Sequence, residues 1–142
     1  MFFMTISIII PFKNSAETLS KCINSVRNQT YKDIEIILVN NNSDIPSKKI
    51  AKNFARTDKR IKLYKEIKNG ISNARNLGIK KSKGNYIFFV DSDDFISKNT
   101  LEDLYLFSNK NKLDLSIGNH SQIRIKKNKK KKCDDKKKFN FY

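Results

Sequence analysis

Three aspartates within four residues offer the clearest chemistry in the chain. Asp91, Asp93 and Asp94 directly follow an apolar run at 86–90 that has the length of a buried strand. On extended backbone, Asp91 and Asp93 face the same side about 7 Å apart, which suits a shared hydrated cation better than a shared proton. Carboxylates and water are preferred ligands of Mg²⁺ and Mn²⁺, and substrate phosphates complete the shell. The spacing predicts a metal and phosphate site, and the alternative for Asp93 or Asp94 is a turn or a helix cap.

Two other polar clusters also follow predicted strands. Residues 11–14 close the first strand, and residues 40–44, Asn-Asn-Asn-Ser-Asp, close the second. Ligands of open parallel sheets bind beyond the carboxyl ends of the strands, so we expect all three clusters at one edge. Taken alone, the asparagines are explained better by a plain turn.

Alternating strands and helices must position these clusters. Apolar runs that predict strands cover 5–12, 34–39, 61–65 and 86–90, and one or two further strands are expected at 115–117 and 122–125. Apolar residues at helical spacing predict helices over 16–28, 47–57, 71–81 and 100–108. Asn14 and Glu17 have the spacing of a capping box for the first helix. The first and fourth strands lack alternation, which predicts burial on both faces. The pattern therefore predicts an α/β fold with a mostly parallel sheet covered on both faces by helices.

Five segments, in order over about residues 5–120, resemble motifs of the family 2 glycosyltransferases. They are Ile8-Ile9-Ile10-Pro11-Phe12-Lys13-Asn14 (family I-I-P-x-Y-N), Ser25-Val26-Arg27-Asn28-Gln29-Thr30-Tyr31 (S-V-L-N-Q-T-Y), Glu35-Ile36-Ile37-Leu38-Val39-Asn40-Asn41 (E-I-I-I-V-D-D), Asn69-Gly70-Ile71-Ser72-Asn73-Ala74-Arg75-Asn76-Leu77-Gly78 (N-G-G-I-S-A-A-R-N-x-G) and Gly84-Asn85-Tyr86-Ile87-Phe88-Phe89-Val90-Asp91-Ser92-Asp93-Asp94 (G-E-Y-I-x-F-L-D-S-D-D). Five ordered segments are far more specific than any one of them.

The resemblance implies a GT-A fold, a Rossmann-like three-layer α/β/α arrangement. It also implies inverting, metal-dependent transfer of a sugar from a nucleotide diphosphate donor, here expected to be a UDP-sugar, to an acceptor hydroxyl. Surface polysaccharide or glycolipid synthesis is the setting implied. The residues that correspond to the family's nucleotide-sugar site are Pro11, Phe12, Asn14, Asn40, Asn41, Arg75, Asp91, Ser92 and Asp93. Asp93 and Asp91 are the expected ligands of Mn²⁺ or Mg²⁺.

Two features depart from the family pattern. Asn40 and Asn41 stand where the family has paired aspartates, and an amide can bond a base edge but supplies no charge. The family's acceptor half follows D-S-D-D and supplies a general base, an Asp or Glu. None of the later carboxylates, Glu102, Asp103, Asp114, Asp134 and Asp135, is assigned that role. The catalytic base is therefore expected to be missing and the chain to be truncated on its acceptor side.

The charge of the chain is concentrated at one end. Residues 126–138 hold nine lysines against two aspartates, so seven of the sixteen net positive charges lie there. We predict a nucleotide-sugar-binding domain at 1–125 and a disordered lysine-rich tail at 126–142. No nucleic-acid partner is expected, because no reader motif or aromatic-basic interleaving is present. The alternative function is an inactive, truncated basic interaction module.

The expected setting is cytoplasmic. No basic segment precedes the apolar start, which therefore lacks the pattern of a signal peptide. Cys22 falls in an apolar helical stripe, so it is predicted to be a buried thiol rather than half of a disulfide. The expected partners are the sugar donor, a glycan or lipid-linked acceptor and, through the lysines, the anionic inner face of a membrane.

Overall fold

The chain alternates strands and helices in the order that the sequence predicts. The computed structural model describes residues 4–119, 121, 123–126 and 129–132. Its elements are β1 (Ile6–Phe12), α1 (Leu19–Arg27), β2 (Ile34–Asn41), α2 (Ile45–Thr57), β3 (Ile61–Glu66), α3 (Ile71–Lys81), β4 (Tyr86–Phe89), α4 (Thr100–Asn111), β5 (Ile123–Lys126) and β6 (Lys129–Lys132). Two compact units divide the chain, Met1–Glu102 and Asp103–Tyr142.

The first unit is built on a four-stranded parallel sheet with the order β3-β2-β1-β4. All of β1 is buried, and β2 is buried except at Glu35. Both central strands are therefore covered on both faces, as their unbroken apolar runs predict. The predicted α/β class with a parallel sheet is confirmed.

Helices lie on both faces of this sheet. The right-handed crossovers of parallel strands place α1 and α2 on one face, and they place α3 on the other because the chain reverses direction from β3 to β4. Ala74 of α3 packs in a core cluster with Ile9, Ile37 and Val39. A Cβ atom at Gly78 would overlap the side chain of Ile9, so glycine allows α3 to lie this close to β1.

The prediction that β4 is buried on both faces is wrong. Its residues alternate between half-buried and exposed, and Ile87 and Phe89 are 41% and 43% exposed. In the part of the chain that the structure describes, β4 pairs with β1 alone. The apolar run therefore indicated a strand correctly but did not reveal that the strand lies at an edge.

The predicted start of the first helix is also wrong. α1 begins at Leu19, and its N-cap residue, Thr18, makes no side-chain capping bond. Asn14 instead adopts a positive φ of 50°. Its Oδ1 accepts a hydrogen bond from the N–H of Asp44, 2.8 Å away, so a contact between two loops replaces the predicted capping box.

Smaller differences concern the remaining elements. α2 begins two residues earlier than predicted, because Asp44 caps it with a side-chain bond to the N–H of Ser47 and a proline lies in its first turn. Residues 115–117 form no strand, and Leu115 and Ile117 are exposed.

In the second unit, β5 pairs with β6 in antiparallel orientation, so part of the lysine-rich segment predicted to be disordered is a strand. The rest of that segment, residues 127–128 and 133–142, lies outside the described residues. The predicted domain bounds of 1–125 and 126–142 stay predictions. Within the described ranges, no helix has the length and apolar composition needed to cross a membrane.

Candidate functional site

A cavity of about 340 Å³ opens where β1, β2 and β4 end. Ten residues from the ends of β1 and β2, from the loops after β1 and β4 and from the start of α3 line it: Pro11, Phe12, Lys13, Asn41, Gly70, Ile71, Ala74, Asp91, Ser92 and Asp93. The carboxyl-terminal ends of the three strands contribute together because parallel strands end at the same side of the sheet. This is the edge at which the sequence places its polar clusters.

Most of the sequence-predicted site residues meet at this cavity. Those that line it are Pro11, Phe12, Asn41, Asp91, Ser92 and Asp93. Asn14, Asn40 and Arg75 do not line it, and each instead contacts a residue or loop that borders it.

Asp91 is held by an arginine from α3. Nη2 of Arg75 lies 2.7 Å from Oδ1 of Asp91, and both side chains are partly exposed. The guanidinium also lies 6.0 Å from the centre of the Phe89 ring. Nε of Arg75 is buried and has no hydrogen-bond partner among the described residues. Arg75 therefore orients a carboxylate of the cavity instead of pointing into solvent.

Asp93 presents an open carboxylate. Within residues 4–119, it makes no side-chain hydrogen bond or ion pair, and it lines the cavity beside Ser92. Cys22 is a buried free thiol, as predicted. Its Sγ lies 3.4 Å from the carbonyl oxygen of Asp91, close enough to feel the negative charge of this loop. Burial first, and then the charges of Asp94, Asp93 and Asp91, raise the pKa of Cys22 to about 12.

The carboxylate oxygens at the cavity fit a cation whose remaining ligands are waters or substrate phosphates. The described residues contain no group of three or more His, Cys, Asp or Glu side chains that could hold a metal. Asp91 and Asp93 offer carboxylate oxygens from one loop, and Mg²⁺ commonly binds through one or two carboxylates together with substrate phosphates. Asp93 is the open carboxylate of the pair, since Asp91 is already bonded to Arg75.

The asparagines at the end of β2 and just after it, Asn41 and Asn42, stabilise the loops around the cavity. Nδ2 of Asn41 donates to the carbonyl of Lys68 (2.7 Å), and its Oδ1 accepts from the N–H of Gly70 (3.0 Å). Asn42 donates to the carbonyl of Ile67 (2.9 Å). A carboxylate could not donate either bond to a carbonyl, so the amides have a structural role that aspartates could not fill.

Asn40 and Asn14 support the neighbouring turns. Oδ1 of Asn40 accepts from the N–H of Ser43 at 2.9 Å, which is a turn interaction. The N–H of Asn14 donates to Oγ of Ser43 at 2.7 Å, and its side chain accepts from Asp44. The loop after β1 is therefore fixed to the loop after β2.

Four lining residues were not predicted as site residues: Lys13, Gly70, Ile71 and Ala74. The signal for Lys13 was available, since it lies within the polar cluster that follows β1. Gly70 has a φ of +118°, a conformation that other residues rarely adopt, and the Asn-Gly pair before α3 indicated a turn there. Ile71 and Ala74 carried no polar signal that marks a site.

Comparison with known proteins extends these observations. The family model described as "Glycosyl transferase family 2" matches residues 7–142. The chain is 44% identical over 116 residues to glycosyltransferase GlyA of Streptococcus pneumoniae, which covers 81% of this chain and 16% of GlyA.

Solved structures show the same fold. The structure of Staphylococcus aureus TarS residues 1–349 in complex with UDP-GlcNAc matches with a TM-score of 0.70 and 30% identity, over 75% of this chain and 32% of that one. The mannosyltransferase PcManGT of Pyrobaculum calidifontis, in complex with GDP-Man and Mn²⁺, matches with a TM-score of 0.69 over 75% of this chain and 33% of its own, and at 18% identity it supports the fold alone.

The fold is therefore that of the GT-A transferases, as predicted. The chain spans between about a sixth and a third of the length of the relatives described above. The family model covers nearly all of the chain, and four of the five resembling segments contribute residues to one cavity, so the chain belongs to glycosyl transferase family 2.

Proposed function

We propose that the cavity binds the nucleotide diphosphate of a sugar donor, a UDP-sugar, for inverting transfer of the sugar to an acceptor hydroxyl. The observation that carries this proposal is the open carboxylate of Asp93 in a cavity where three parallel strands end. TarS, at 30% identity, is described in complex with UDP-GlcNAc, which supports a uridine donor. The product is proposed to be a surface polysaccharide or a glycolipid.

The lining residues divide into an apolar and a charged part. Pro11 and Phe12 offer apolar surface for a base, and Asn41 retains one amide hydrogen and one lone pair beyond its bonds to the backbone. Asp91, fixed by Arg75, is a candidate partner for ribose or phosphate. Lys13 adds a positive charge at the same rim, where a diphosphate is stabilised by cations.

Asp93 and Asp91 are the proposed ligands of Mn²⁺ or Mg²⁺. Such a cation, when bound, supplies positive charge against the negative charge that grows on the leaving diphosphate. The protein's part is to hold the carboxylates in the loop after β4, where Arg75 orients Asp91 and Asp93 stays open.

A general base is not assigned. The only acidic side chains that line the cavity within the described residues are Asp91 and Asp93, which the proposal uses for the donor and the metal. We therefore expect the chain alone to bind the donor and to turn it over poorly. A cytoplasmic setting, a glycan or lipid-linked acceptor and contact of the lysines with an anionic membrane remain parts of this proposal.

Calorimetric titration of UDP, with and without Mn²⁺, tests the proposal. Asp93→Ala is expected to weaken Mn²⁺-dependent UDP binding by at least about 10- to 100-fold, because removal of a residue that only supports a metal ligand already has an effect of this size. Asp103→Ala, the same change at an exposed helical position, is the matched control and should bind like the wild type. Absence of UDP binding in Mn²⁺, or equal binding by Asp93→Ala and the wild type, would contradict the site.

A further inference from the structure

Ser15, in the loop after β1, connects α2, the start of α1 and the loop after β4 near the cavity, although it does not line the cavity itself. Its N–H donates to Oγ of Ser47 in α2, at 2.9 Å. Its carbonyl accepts from the N–H groups of Thr18 (3.1 Å) and Leu19 (2.9 Å), where α1 begins. Its hydroxyl lies 2.7 Å from Oγ of Ser92, in the loop after β4. The backbone of Ser15 is thus fixed from two sides, and this fixes the position from which its hydroxyl meets Ser92.

The direction of the hydrogen bonds can be deduced. The hydroxyl of Ser15 donates to the carbonyl oxygen of Lys13, 3.0 Å away, and a carbonyl can only accept. A serine hydroxyl carries one hydrogen, so the hydrogen between Ser15 and Ser92 comes from Ser92. The chain of donation runs from Ser92 to Ser15 and on to Lys13. Ser92 is then left with lone pairs and no hydrogen for a ligand in the cavity.

We infer that Ser15 is a positioning residue for the cation, and that it holds Ser92 as an acceptor for a water bound to that cation. A water whose oxygen faces a cation offers only its hydrogens, which suits an acceptor placed between Asp91 and Asp93. A phosphate oxygen would need a donor, which Ser92 no longer provides. The inference rests on the proposed function, because it assumes that a divalent cation binds at these two aspartates.

Loss of the Ser15 hydroxyl should therefore lower the affinity for the cation more than the affinity for the nucleotide. Ser15→Ala frees the hydroxyl of Ser92 to rotate and to donate elsewhere. The expected loss of Mn²⁺ affinity is about three- to tenfold, the size of one neutral hydrogen bond. UDP affinity measured in EDTA should stay at the wild-type value, since the other contacts of the cavity are unchanged.

The experiment measures Mn²⁺ affinity at saturating UDP, and UDP affinity in EDTA, for Ser15→Ala, Ser92→Ala and the double variant. Because Ser15 acts through Ser92, Ser15→Ala should have no further effect on Mn²⁺ affinity in the Ser92→Ala background. Ser15→Thr keeps the hydroxyl and should retain wild-type affinity. Ser82→Ala is the matched control: the hydroxyl of Ser82 likewise donates to a backbone carbonyl, that of Ile79, at the far end of α3.

Four results would overturn the inference while leaving the proposed function intact, and the first three concern Mn²⁺ affinity. They are an unchanged Mn²⁺ affinity in Ser15→Ala, an equal loss in the wild-type and Ser92→Ala backgrounds, and a loss in Ser15→Thr as large as in Ser15→Ala. The fourth is a loss of UDP affinity in EDTA as large as the loss of Mn²⁺ affinity in Ser15→Ala, since Ser15 would then act on the nucleotide. If the wild-type chain binds no UDP in Mn²⁺, the proposed function fails and the inference fails with it.

Discussion

Two carboxylates at opposite ends of the parallel strands, Glu35 and Asp93, differ in the partners that the protein gives them. At the amino ends of the strands, Glu35 accepts hydrogen bonds from Oγ of Ser7 (2.6 Å) and from the N–H groups of Lys83 (2.5 Å) and Gly84 (3.1 Å). At the carboxyl ends, Asp93 has no hydrogen-bond or ion-pair partner within residues 4–119. A carboxylate that accepts several hydrogen bonds from the protein stabilises the fold, whereas an open one is available to a ligand.

Asp58, near the amino ends of the strands, is a second carboxylate with several partners in the protein. It accepts from Nε (3.0 Å) and Nη2 (2.8 Å) of Arg60, and Arg27 lies 3.6 Å away. The hydrogen bond from the Arg60 side chain is the main cause that holds the pKa of Asp58 below its ordinary value of 3.8. These charges join the end of α1 to the start of β3, because Arg60 also donates to the carbonyl of Arg27. They serve the structure rather than a ligand.

The largest effect on stability is expected at Glu35. Glu35→Ala leaves one hydroxyl and two N–H groups without their acceptor, so the free energy of unfolding should fall by about 2–3 kcal/mol. UDP binding at 25 °C should not change, because Glu35 lies near the amino ends of the strands and the cavity lies at their carboxyl ends. Urea denaturation and calorimetry measure the two quantities. Glu17→Ala, at an exposed residue, is the control, and a loss of UDP binding without a loss of stability would break the contrast.

Substitution of Asp58 is expected to have a smaller and pH-dependent effect on the free energy of unfolding. Its pKa is lower in the folded state than in the unfolded one, so its stabilisation is present above about pH 4 and disappears as the pH falls through the folded-state pKa. Asp58→Asn should lower the free energy of unfolding by about 1 kcal/mol at pH 7, and by less at pH 2. Urea denaturation at both pH values measures this. An equal loss at pH 7 and pH 2 would exclude the charge of Asp58 as the cause, and Asp103→Asn serves as the control.

The smallest effect is expected at Lys13, which lines the cavity, and it concerns UDP affinity rather than stability. Lys13→Gln removes an exposed charge from the rim, so UDP affinity should fall by about two- to fivefold at low salt, and the difference should shrink as salt rises. The melting temperature should stay the same. Lys52→Gln, at an exposed position on α2, is the matched control for the change in net charge. An equal loss of affinity in both variants would assign the effect to net charge instead of to the cavity.

The sequence predicts much of this arrangement, within clear physical limits. Apolar runs located every strand of the parallel sheet, and helical spacing of apolar residues located the helices between them, because burial selects apolar residues in these patterns. It did not show that β4 lies at an edge, because an apolar run does not record which neighbours a strand has. The capping-box spacing of Asn14 and Glu17 also failed, since Asp44 competes for the Asn14 side chain from 30 residues away. The assigned roles of the site residues stay predictions until binding is measured.

By itself, the sequence determined the order of the strand and helix units, the family motifs and the position of Asp91-Ser92-Asp93 after a strand. Only the tertiary structure decided which side chains meet: Arg75 with Asp91, Asn41 with Lys68 and Gly70, and Ser15 with Ser92, which are 77 positions apart. The physical reason is that burial leaves a periodic trace along the chain, whereas a hydrogen bond between loops depends on how strands are ordered in the sheet. An open carboxylate, such as that of Asp93, can be recognised only after the partners of the others are known.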